Sequence, residues 1–434
     1  MHAGVTASNL GLGGQEGAIK VVMGAYACEP HRGSEPGVGW NWAVQAAQHG
    51  HEVHVLTRVN NRRDIEAEIR RQPVRGLHFH YLDLPRPFLW MKKRFGYHGL
   101  ALYYYLWQIS LAAHARKLHR SEQFDLAHHV TFVNDWAPAG LAALRIPFIW
   151  GPIGGSTHIW PKEIEPHLPD YARRHEAIRR WTIMTTRSLD PLRRLTGKRA
   201  AMILAYTTES LAGLRNTELA RARAVTHIGL EHQDDDIVAE APIDAAELRI
   251  VTGGRLVHWK GFDLLIEGLA ESCEAGTKAR LLVTGTGPYL PHMEALVRRL
   301  GVADSVDFLG RLPTRSDVLD LLIGCHLYAL PTLRDGPPVA ILEAMAIGLP
   351  VLCLDHGATA ELVPEDGGLK IPMHSREQVV SDIATAITAA AGDRADLRER
   401  GLEARRYAYA VHDWVRIGDE IDTLYVELLG AAGN

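Results

Sequence analysis

Cysteine is scarce in this sequence. The 434 residues include only Cys28, Cys273, Cys325 and Cys353. These four lie far apart, and they form neither a CxxC pair nor a Cys/His zinc-finger pattern. The sequence therefore argues against a disulfide framework and favours a reducing compartment.

Long hydrophobic runs are also missing. No uncharged apolar segment reaches the ~18 residues that a membrane-spanning helix needs. The first eighteen residues are rich in glycine and alanine, and they lack the basic start and apolar core of a signal peptide. We therefore expect a cytoplasmic protein.

A large excess of charge is missing as well, because the formal net charge is only −4. Such a balance does not indicate a nucleic-acid partner. Hydrophobic residues, in contrast, make up 47% of the chain, which is ample for buried cores. A chain of this length is expected to form two or three domains.

Strands and helices alternate in two series. The first begins with an apolar run at residues 19–27, a turn-rich loop at 29–37, a helix at 38–49 and a strand at 52–57. Strand, loop, helix and strand in this order form a βαβ unit, the building block of parallel α/β sheets. An acidic segment with Pro and Gly at 229–247 is typical of a linker, after which the alternation starts again.

Further short apolar runs extend both series. They lie at residues 77–82, 126–130, 147–150 and 202–205 in the first, and at 249–253, 279–284, 305–309, 325–330 and 351–354 in the second. We predict an α/β protein with Rossmann-like domains at residues 1–235 and 246–410, and a C-terminal helix at 411–429 that packs back on the first domain. The long segments at 88–120 and 160–199 are interpreted as insertions in the first domain.

The loop that follows the predicted strand at 325–330 carries two carboxylates. Asp335 precedes a helix that begins near Pro338, and Glu343 lies eight positions further on. The free N–H groups of a first helical turn attract anions, and carboxylates accept hydrogen bonds from sugar hydroxyls. An ordinary loop with a solvated helix remains an equally open interpretation.

A second glycine-rich turn carries two cations. Arg255 and Lys260 flank the turn between the first strand and the first helix of the second series, which suits a diphosphate. Gly285 and Gly287 lie in the corresponding place after the next strand. Taken alone, solvated surface charges are the simpler explanation of this turn.

As a set, these motifs resemble glycosyltransferase family 4. The resemblance rests on Gly-Arg-Leu…Lys-Gly at 254–261, Thr-Gly-Thr-Gly-Pro at 284–288, Phe-Leu-Gly at 308–310 and Leu-Glu-Ala-Met-Ala-Ile-Gly-Leu-Pro-Val at 342–351. It covers nearly all of the second domain. It implies retaining enzymes with the GT-B fold, in which two Rossmann-like domains face each other across a cleft.

The resemblance also implies roles in the second domain. Arg255 and Lys260 would hold the donor diphosphate, Glu343 the ribose hydroxyls, and Asp335 the hydroxyls of the donor sugar. The remaining donor-binding positions would be backbone or pocket contacts: Gly254, Gly285, Gly287, Arg311, Leu312, Gly336, Pro338, Val339 and Ala340. Arg311 and Leu312 would line the base pocket.

In the first domain the motifs at residues 33–40, 125–129 and 150–155 also look like those of the family. They imply a loop close to the phosphate and the acceptor, with cleft positions Gly33, Ser34, Glu35, Gly37, Gly39, Gly154 and Gly155. His128 or His129 would approach the sugar. Only one of them can face the cleft because side chains alternate along a strand. We favour His129, while a core or capping role stays open for each.

One departure from the family pattern concerns the donor sugar. The family usually has Glu-Gly-Phe-Pro where this chain has Asp335, Gly336, Pro337 and Pro338. Asp is one methylene shorter than Glu, and Pro337 removes a backbone N–H donor. The choice of sugar is therefore expected to depend on these positions.

The expected activity is retaining, metal-independent transfer of a hexose from a nucleoside-diphosphate sugar to a hydroxyl of a glycan, a lipid-linked acceptor or a small glycoside. UDP-sugars are favoured over GDP-mannose, and no cofactor is expected. The acidic residues Asp234, Asp235 and Asp236 are interpreted as solvated linker charge. A GT-B epimerase or phosphorylase, and a catalytically silent sugar-nucleotide-binding protein, are the alternatives.

The insertions of the first domain combine aromatic and basic residues. They do so at residues 90–95, 103–107 and 173–199, as an interfacial membrane surface would. This composition suggests peripheral contact with the inner face of the membrane. Core aromatics beside a solvated basic face are the favoured alternative.

Overall fold

The computed structural model describes residues 18–154, 168–230, 237–242 and 244–432. Gly155 and the acidic residues at 234–236 lie outside these ranges. Within them, two parallel sheets are covered by helices, so the α/β class predicted from the sequence is confirmed.

In the first half of the described chain, seven parallel strands form one sheet. They are β1 (Lys20–Ala25), β2 (Glu52–Thr57), β3 (Leu77–Tyr81), β4 (Leu126–Thr131), β5 (Phe148–Ile153), β6 (Met202–Ala205) and β7 (Ala222–Ala224), in the order β3-β2-β1-β4-β5-β6-β7. The central strands β1, β4 and β5 are buried along almost their whole length because helices cover both faces of the sheet. The strand order reverses between β1 and β4, which opens a crevice at their carboxyl ends.

Eight helices accompany this sheet within the described ranges. They are α1 (Ser34–Gln48), α2 (Arg62–Arg71), α3 (Arg86–Arg94), α4 (Gly96–Glu122), α5 (Asp170–Leu189), α6 (Pro191–Arg199), α7 (Thr208–Leu211) and α8 (Asn216–Leu219). Helix α1 begins four residues before the predicted helix, since Pro36 fits within a first helical turn. The two predicted insertions contain α3 with α4, and α5 with α6.

The second sheet has six parallel strands among the residues described. They are β8 (Leu248–Gly253), β9 (Ala279–Thr284), β10 (Val306–Gly310), β11 (Leu327–Leu330), β12 (Val351–Leu354) and β13 (Gly368–Ile371), in the order β10-β9-β8-β11-β12-β13. Its helices are α9 (Phe262–Glu274), α10 (Leu290–Leu300), α11 (Arg315–Ile323), α12 (Val339–Ala346), α13 (Gly357–Leu362), α14 (Arg376–Gly392) and α15 (Arg394–Val411). The order reverses between β8 and β11, so a second crevice faces the first.

The C-terminal helix α16 (Trp414–Ala432) lies on the first sheet's helix α1. The chain crosses over after α15, where the Leu230 N–H donates to the His412 carbonyl at 2.7 Å. In α16, Asp419 contacts His49, and Tyr425 contacts the buried His128. The last helix therefore ties the end of the chain to the first sheet.

Aromatic residues of α4 belong to the core. Tyr103 and Trp107 have no exposed surface, and Tyr104 is 4% exposed. The interpretation of residues 103–107 as part of an interfacial surface is therefore wrong, because α4 packs its aromatic face on the sheet. Of the described helices, none is long and apolar enough to cross a membrane.

His128 gives a test of how α16 is held. Burial, with a smaller contribution from His129, lowers the pKa of His128 to about 3 although its bond to the Gly151 carbonyl acts the other way. The neutral ring donates from Nε2 to Gly151 O at 2.9 Å and accepts at Nδ1 from the Tyr425 hydroxyl at 2.8 Å. Both ring nitrogens are thus satisfied by groups from two elements.

We predict that Tyr425→Phe lowers the free energy of unfolding by about 1–3 kcal/mol, because it leaves a buried ring nitrogen without its donor. Urea unfolding at pH 7 measures the change. Tyr407→Phe on α15 is the matched control, expected within about 0.5 kcal/mol of the parent. Equal stabilities for the two variants would contradict the role of this bond.

Candidate active site

The candidate site lies where the carboxyl ends of the two sheets face each other. Loops after β8, β9 and β11 approach from the second sheet, and loops after β1, β4, β5 and β6 from the first. Open parallel sheets bind ligands at such crevices.

Lys260 and Asp335 meet beyond the carboxyl ends of β8 and β11, the two central strands of the second sheet. Lys260 ends the short 3-10 turn 258–260, and its Nζ forms an ion pair with Asp335 Oδ2. The Leu333 N–H donates to the Trp259 carbonyl at 2.8 Å, which joins the two loops through their backbones. Two of the predicted catalytic residues are therefore in direct contact.

Gly261 allows this close approach. Its φ is +69°, in the left-handed region, and a Cβ there would overlap the Pro331 carbonyl oxygen. A residue with a side chain would force the loops apart. The glycine therefore keeps Lys260 within reach of Asp335.

Arg255 lies exposed at the turn after β8. Its turn packs against the next glycine loop, since a Cβ at Gly285 or Gly287 would overlap the carbonyl oxygen of Gly254 or Leu256, respectively. The predicted glycines Gly254, Gly285 and Gly287 therefore share one tightly packed double turn. This packing leaves the Arg255 side chain at the surface, where it can meet a ligand.

Glu343 lies in the second turn of α12 and pairs with Arg315 of α11 at 3.3 Å. Arg311 and Leu312 follow β10 and lead into the start of α11. The predicted ribose and base positions are therefore on neighbouring elements. Val339 opens α12, immediately after Pro338.

The first domain covers this helix start with its 31–34 loop. Gly33 lies opposite Val339, where a Cβ on the glycine would be 3.6 Å from Val339 Cγ1. A cavity between the domains is lined by Gly33, Ser34, Arg315, Val339 and Glu343, among others. The structure therefore brings the predicted phosphate loop to the predicted ribose residue.

Glu35 links the 31–34 loop to the loop after β4. Its carboxylate accepts a hydrogen bond from the Phe132 N–H at 3.0 Å. Burial raises the pKa of the Glu35 carboxyl, although the Phe132 N–H acts the other way. Gly37 and Gly39 pack so closely that a Cβ would overlap the Arg32 or the Ala27 carbonyl oxygen.

The prediction that His129 approaches the sugar is not supported by its position. The His129 ring is only 1% exposed. Its Nε2 lies 3.1 Å from the hydroxyl of Tyr104 on α4, so the ring is buried between the sheet and that helix. Burial lowers its pKa to about 4, so the ring is neutral. His128 is buried on the opposite face. Strand β4 continues past both to Thr131, which keeps their rings below the cleft.

Tyr206, which was not predicted for the site, lies between the two domains. It follows β6, and its ring lies against Gly154 and Gly336, where an added Cβ at either glycine would meet the Tyr206 side chain. Its ring stacks on His227 with the centroids 4.7 Å apart. Burial, and the nearby carboxylates of Glu35 and Asp335, raise the pKa of Tyr206.

Tyr206 could have been suspected because it follows the predicted strand at 202–205. Pro337 and Tyr206 line a cavity of about 480 Å³ between the domains. The position where this chain departs from the family pattern therefore borders an open space.

Two side-chain clusters among the described residues have ligand atoms close enough for a metal ion: Glu52 with His54 and His78, and His175 with Glu176 and His258. Neither contains a residue predicted for the site. The first lies on β2 and β3, away from the facing loops, and the second joins α5 to the loop before Lys260.

A protein-family model matches the second domain. Residues 233–404 match the family described as Glycosyl transferases group 1. A phosphatidylinositol N-acetylglucosaminyltransferase component of Arabidopsis thaliana is 34% identical over 119 residues, which are 27% of this chain and 26% of that protein. The chain thus spans about a quarter of that relative's length. Alpha-D-kanosaminyltransferase of Streptomyces kanamyceticus is 24% identical over 304 residues, 66% of this chain and 75% of that enzyme.

Solved structures match nearly the whole chain. Anabaena HepE in complex with UDP and glucose is 17% identical, with a TM-score of 0.60, and the match covers 94% of this chain and 100% of that one. Sucrose-phosphate synthase from Thermosynechococcus elongatus is also 17% identical, with a TM-score of 0.62, 95% of this chain covered and 100% of that one. These matches confirm the GT-B fold, and the family and relatives support a glycosyltransferase.

Glu35 gives a pH-dependent prediction. A carboxyl whose pKa is raised by folding contributes stability below its unfolded-state pKa, and that contribution is lost as the pH rises through the folded-state value. Glu35→Gln removes the titration and keeps an acceptor oxygen. We expect the free energy of unfolding of Glu35→Gln, relative to the parent, to increase between pH 4 and pH 8.

Urea unfolding at several pH values measures this difference, with the partly exposed Glu66→Gln as a reference variant. A constant difference between Glu35→Gln and the parent over this range would show that burial does not shift the Glu35 pKa.

Proposed function

We propose that this chain, whose residues 233–404 match the glycosyl transferases group 1 family, is a retaining glycosyltransferase. It would move a hexose from a nucleoside-diphosphate sugar to an acceptor hydroxyl. The observation that carries the proposal is the Lys260–Asp335 pair, which joins the loop after β8, where Arg255 also lies, to the loop that leads into α12.

The diphosphate is the leaving group, so its growing negative charge must be stabilised. Arg255 is exposed in the turn after β8, Lys260 is partly buried at the end of the same turn, and α12 begins just after the loop that carries Asp335. Cations and a helix N-terminus that are already in place stabilise such charge without reorganisation. This arrangement supports roles for Arg255 and Lys260 in the transition state.

Asp335 would accept hydrogen bonds from the donor sugar once Lys260 turns to the diphosphate. Gly336 and Tyr206 border the same space, so their shapes would limit which sugar fits. UDP is favoured over GDP as the nucleotide, and the complex of Anabaena HepE with UDP and glucose supports that preference by analogy. Glu343 would hold the ribose.

Retention needs no protein nucleophile in this scheme. The acceptor hydroxyl attacks from the face that the diphosphate leaves, and the departing phosphate oxygen takes its proton. The protein then supplies positioning and charge stabilisation. With two cations at the diphosphate, no metal ion is required.

Arg255→Ala should lower turnover by about 100- to 1000-fold, because it removes a cation where charge develops. Arg255→Lys should recover part of the loss, since it keeps the charge but not the guanidinium geometry. Release of the nucleoside diphosphate from a panel of UDP- and GDP-sugars, with mixed glycan and lipid-linked acceptors, is the assay.

Arg398→Ala, at an exposed arginine of α15, is the matched control and should retain full turnover. Near-normal turnover of Arg255→Ala would contradict the assignment, and loss of parent activity in EDTA would contradict metal independence. Free-sugar release or phosphate dependence without an acceptor would favour an epimerase or phosphorylase. Binding of UDP without turnover would favour a silent sugar-nucleotide-binding protein.

We further propose that the first domain contacts an anionic membrane surface. Ile178, Trp181 and Met184 lie at helical spacing on one face of α5 and are 47%, 69% and 67% exposed. Exposed arginines, Arg173 and Arg174, precede them on the same helix.

A second exposed aromatic pair lies on the first domain. Trp90 and Phe95, 64% and 56% exposed, lie beside the basic end of α3. Such a surface suits a lipid-linked acceptor.

Replacing Ile178, Trp181 and Met184 by serine together should weaken binding to anionic phosphatidylglycerol vesicles at low salt by at least about tenfold, because apolar side chains no longer enter the interface. Vesicle co-sedimentation measures this. The matched control replaces Val415 and Val426 by serine, which are exposed on α16. Absence of binding by the parent protein would end this proposal.

A further inference from the structure

Glu176 is a buried carboxylate that reaches from the first domain to the second. It lies on α5 and is 4% exposed. Its carboxylate accepts hydrogen bonds from His258 Nε2 at 3.1 Å and from Arg334 Nη1, which both belong to the second domain. His175 and Arg179 of the same helix contact it as well.

These neighbours keep the carboxyl group of Glu176 ionised. Burial by itself would raise the pKa of Glu176, but hydrogen bonds from His175 and His258 and the charge of Arg334 outweigh burial and lower the pKa well below its usual range. A buried charge is costly unless it is paired in this way. The carboxylate therefore requires its two partners from the second domain to be in place.

Both partners belong to the loops that carry the proposed diphosphate and sugar residues. His258 is two residues before Lys260, and Arg334 immediately precedes Asp335. Between them, the Trp259 ring lies under the Arg334 guanidinium at 4.8 Å and is stacked with the His175 ring. One carboxylate of the first domain therefore contacts both loops of the proposed donor site.

A metal ion is the other explanation for His175, Glu176 and His258, whose ligand atoms are close together. The guanidinium groups of Arg334 and Arg179 also lie at this carboxylate. They already supply positive charge and would repel a divalent cation. The geometry therefore favours an ion-pair and hydrogen-bond cluster.

We propose that Glu176 is a positioning residue that sets the arrangement of Lys260 and Asp335 when the two domains are closed. Opening the cleft would separate the carboxylate from Arg334 and His258 and release both loops. Closure by the first domain then completes the donor site. This inference rests on the proposed glycosyl transfer for its kinetic consequence, and on the interdomain contacts for its structural one.

The test compares Glu176→Gln with the parent protein. The variant keeps the side-chain volume and loses the charge, so kcat should fall about 100-fold, as a misplaced catalytic group predicts. The KM for the donor should change by less than about threefold, because ground-state contacts to the nucleotide remain. Glu66→Gln, a carboxylate paired with Arg62 on α2, is the matched control and should behave as the parent does.

Two further variants act from the other domain and keep the test decisive where Glu176→Gln folds poorly. His258→Ala should lose part of kcat, and His258→Gln, whose amide N–H can still donate to Glu176, should recover most of that loss. Thermal melting confirms that each variant is folded. Equal kcat values for His258→Ala, His258→Gln and the parent would overturn the inference.

Small-angle X-ray scattering separates this inference from the proposed function. Without ligand, Glu176→Gln should have a larger radius of gyration than the parent, since the domains lose their shared cluster. An unchanged radius, or a kcat within about threefold of the parent, would overturn the positioning role. A parent protein with no turnover on any UDP- or GDP-sugar would overturn the proposed function, and scattering would still decide the interdomain role.

Discussion

The ion pair between Lys260 and Asp335 is the interaction on which the proposed site depends. It joins two loops that are also linked by the backbone bond from Leu333 to Trp259. In this structure the Lys260 ammonium group and the Asp335 carboxylate neutralise each other. In the proposed reaction, a donor whose diphosphate binds Lys260 would offer hydroxyls to Asp335 at the same time, so one charge-assisted contact would be replaced by two. Under this proposal, donor binding would itself arrange the site for transfer.

The sequence predicted those parts of the fold that depend on local pattern. Strands β6 and β12 were located to the residue because buried parallel strands are continuous apolar runs. Edge strands β7 and β13 were missed, since Ala-Arg-Ala and Gly-Leu-Lys-Ile contain no such run. Helices α14 and α15 were also not predicted. Edge strands need less burial than central ones, and their pairing is decided by tertiary contact.

The candidate site likewise contains residues that a local sequence pattern indicates and residues that only tertiary contacts bring together. Lys260 and Asp335, which the structure places in contact, were proposed from the sequence because glycine and proline mark their loops, whose spacing fits a strand-to-helix turn. Tyr206 and Glu176 were not predicted, since the contacts of each are with residues distant in sequence: Gly336 lies against Tyr206, and Arg334 lies 158 positions from Glu176. His129 was misjudged because alternation fixes the face of a side chain and not how far its strand continues beyond it.

Helix α5 connects the two proposals made for the first domain. Its inward face carries Glu176, and its outward face carries Ile178, Trp181 and Met184. Because a helix is stiff over these two turns, a surface that fixes the outward residues also fixes the direction of the carboxylate. Contact with a membrane would then favour the orientation in which Glu176 meets Arg334 and His258. A lipid-linked acceptor and an assembled donor site would be brought together by one helix.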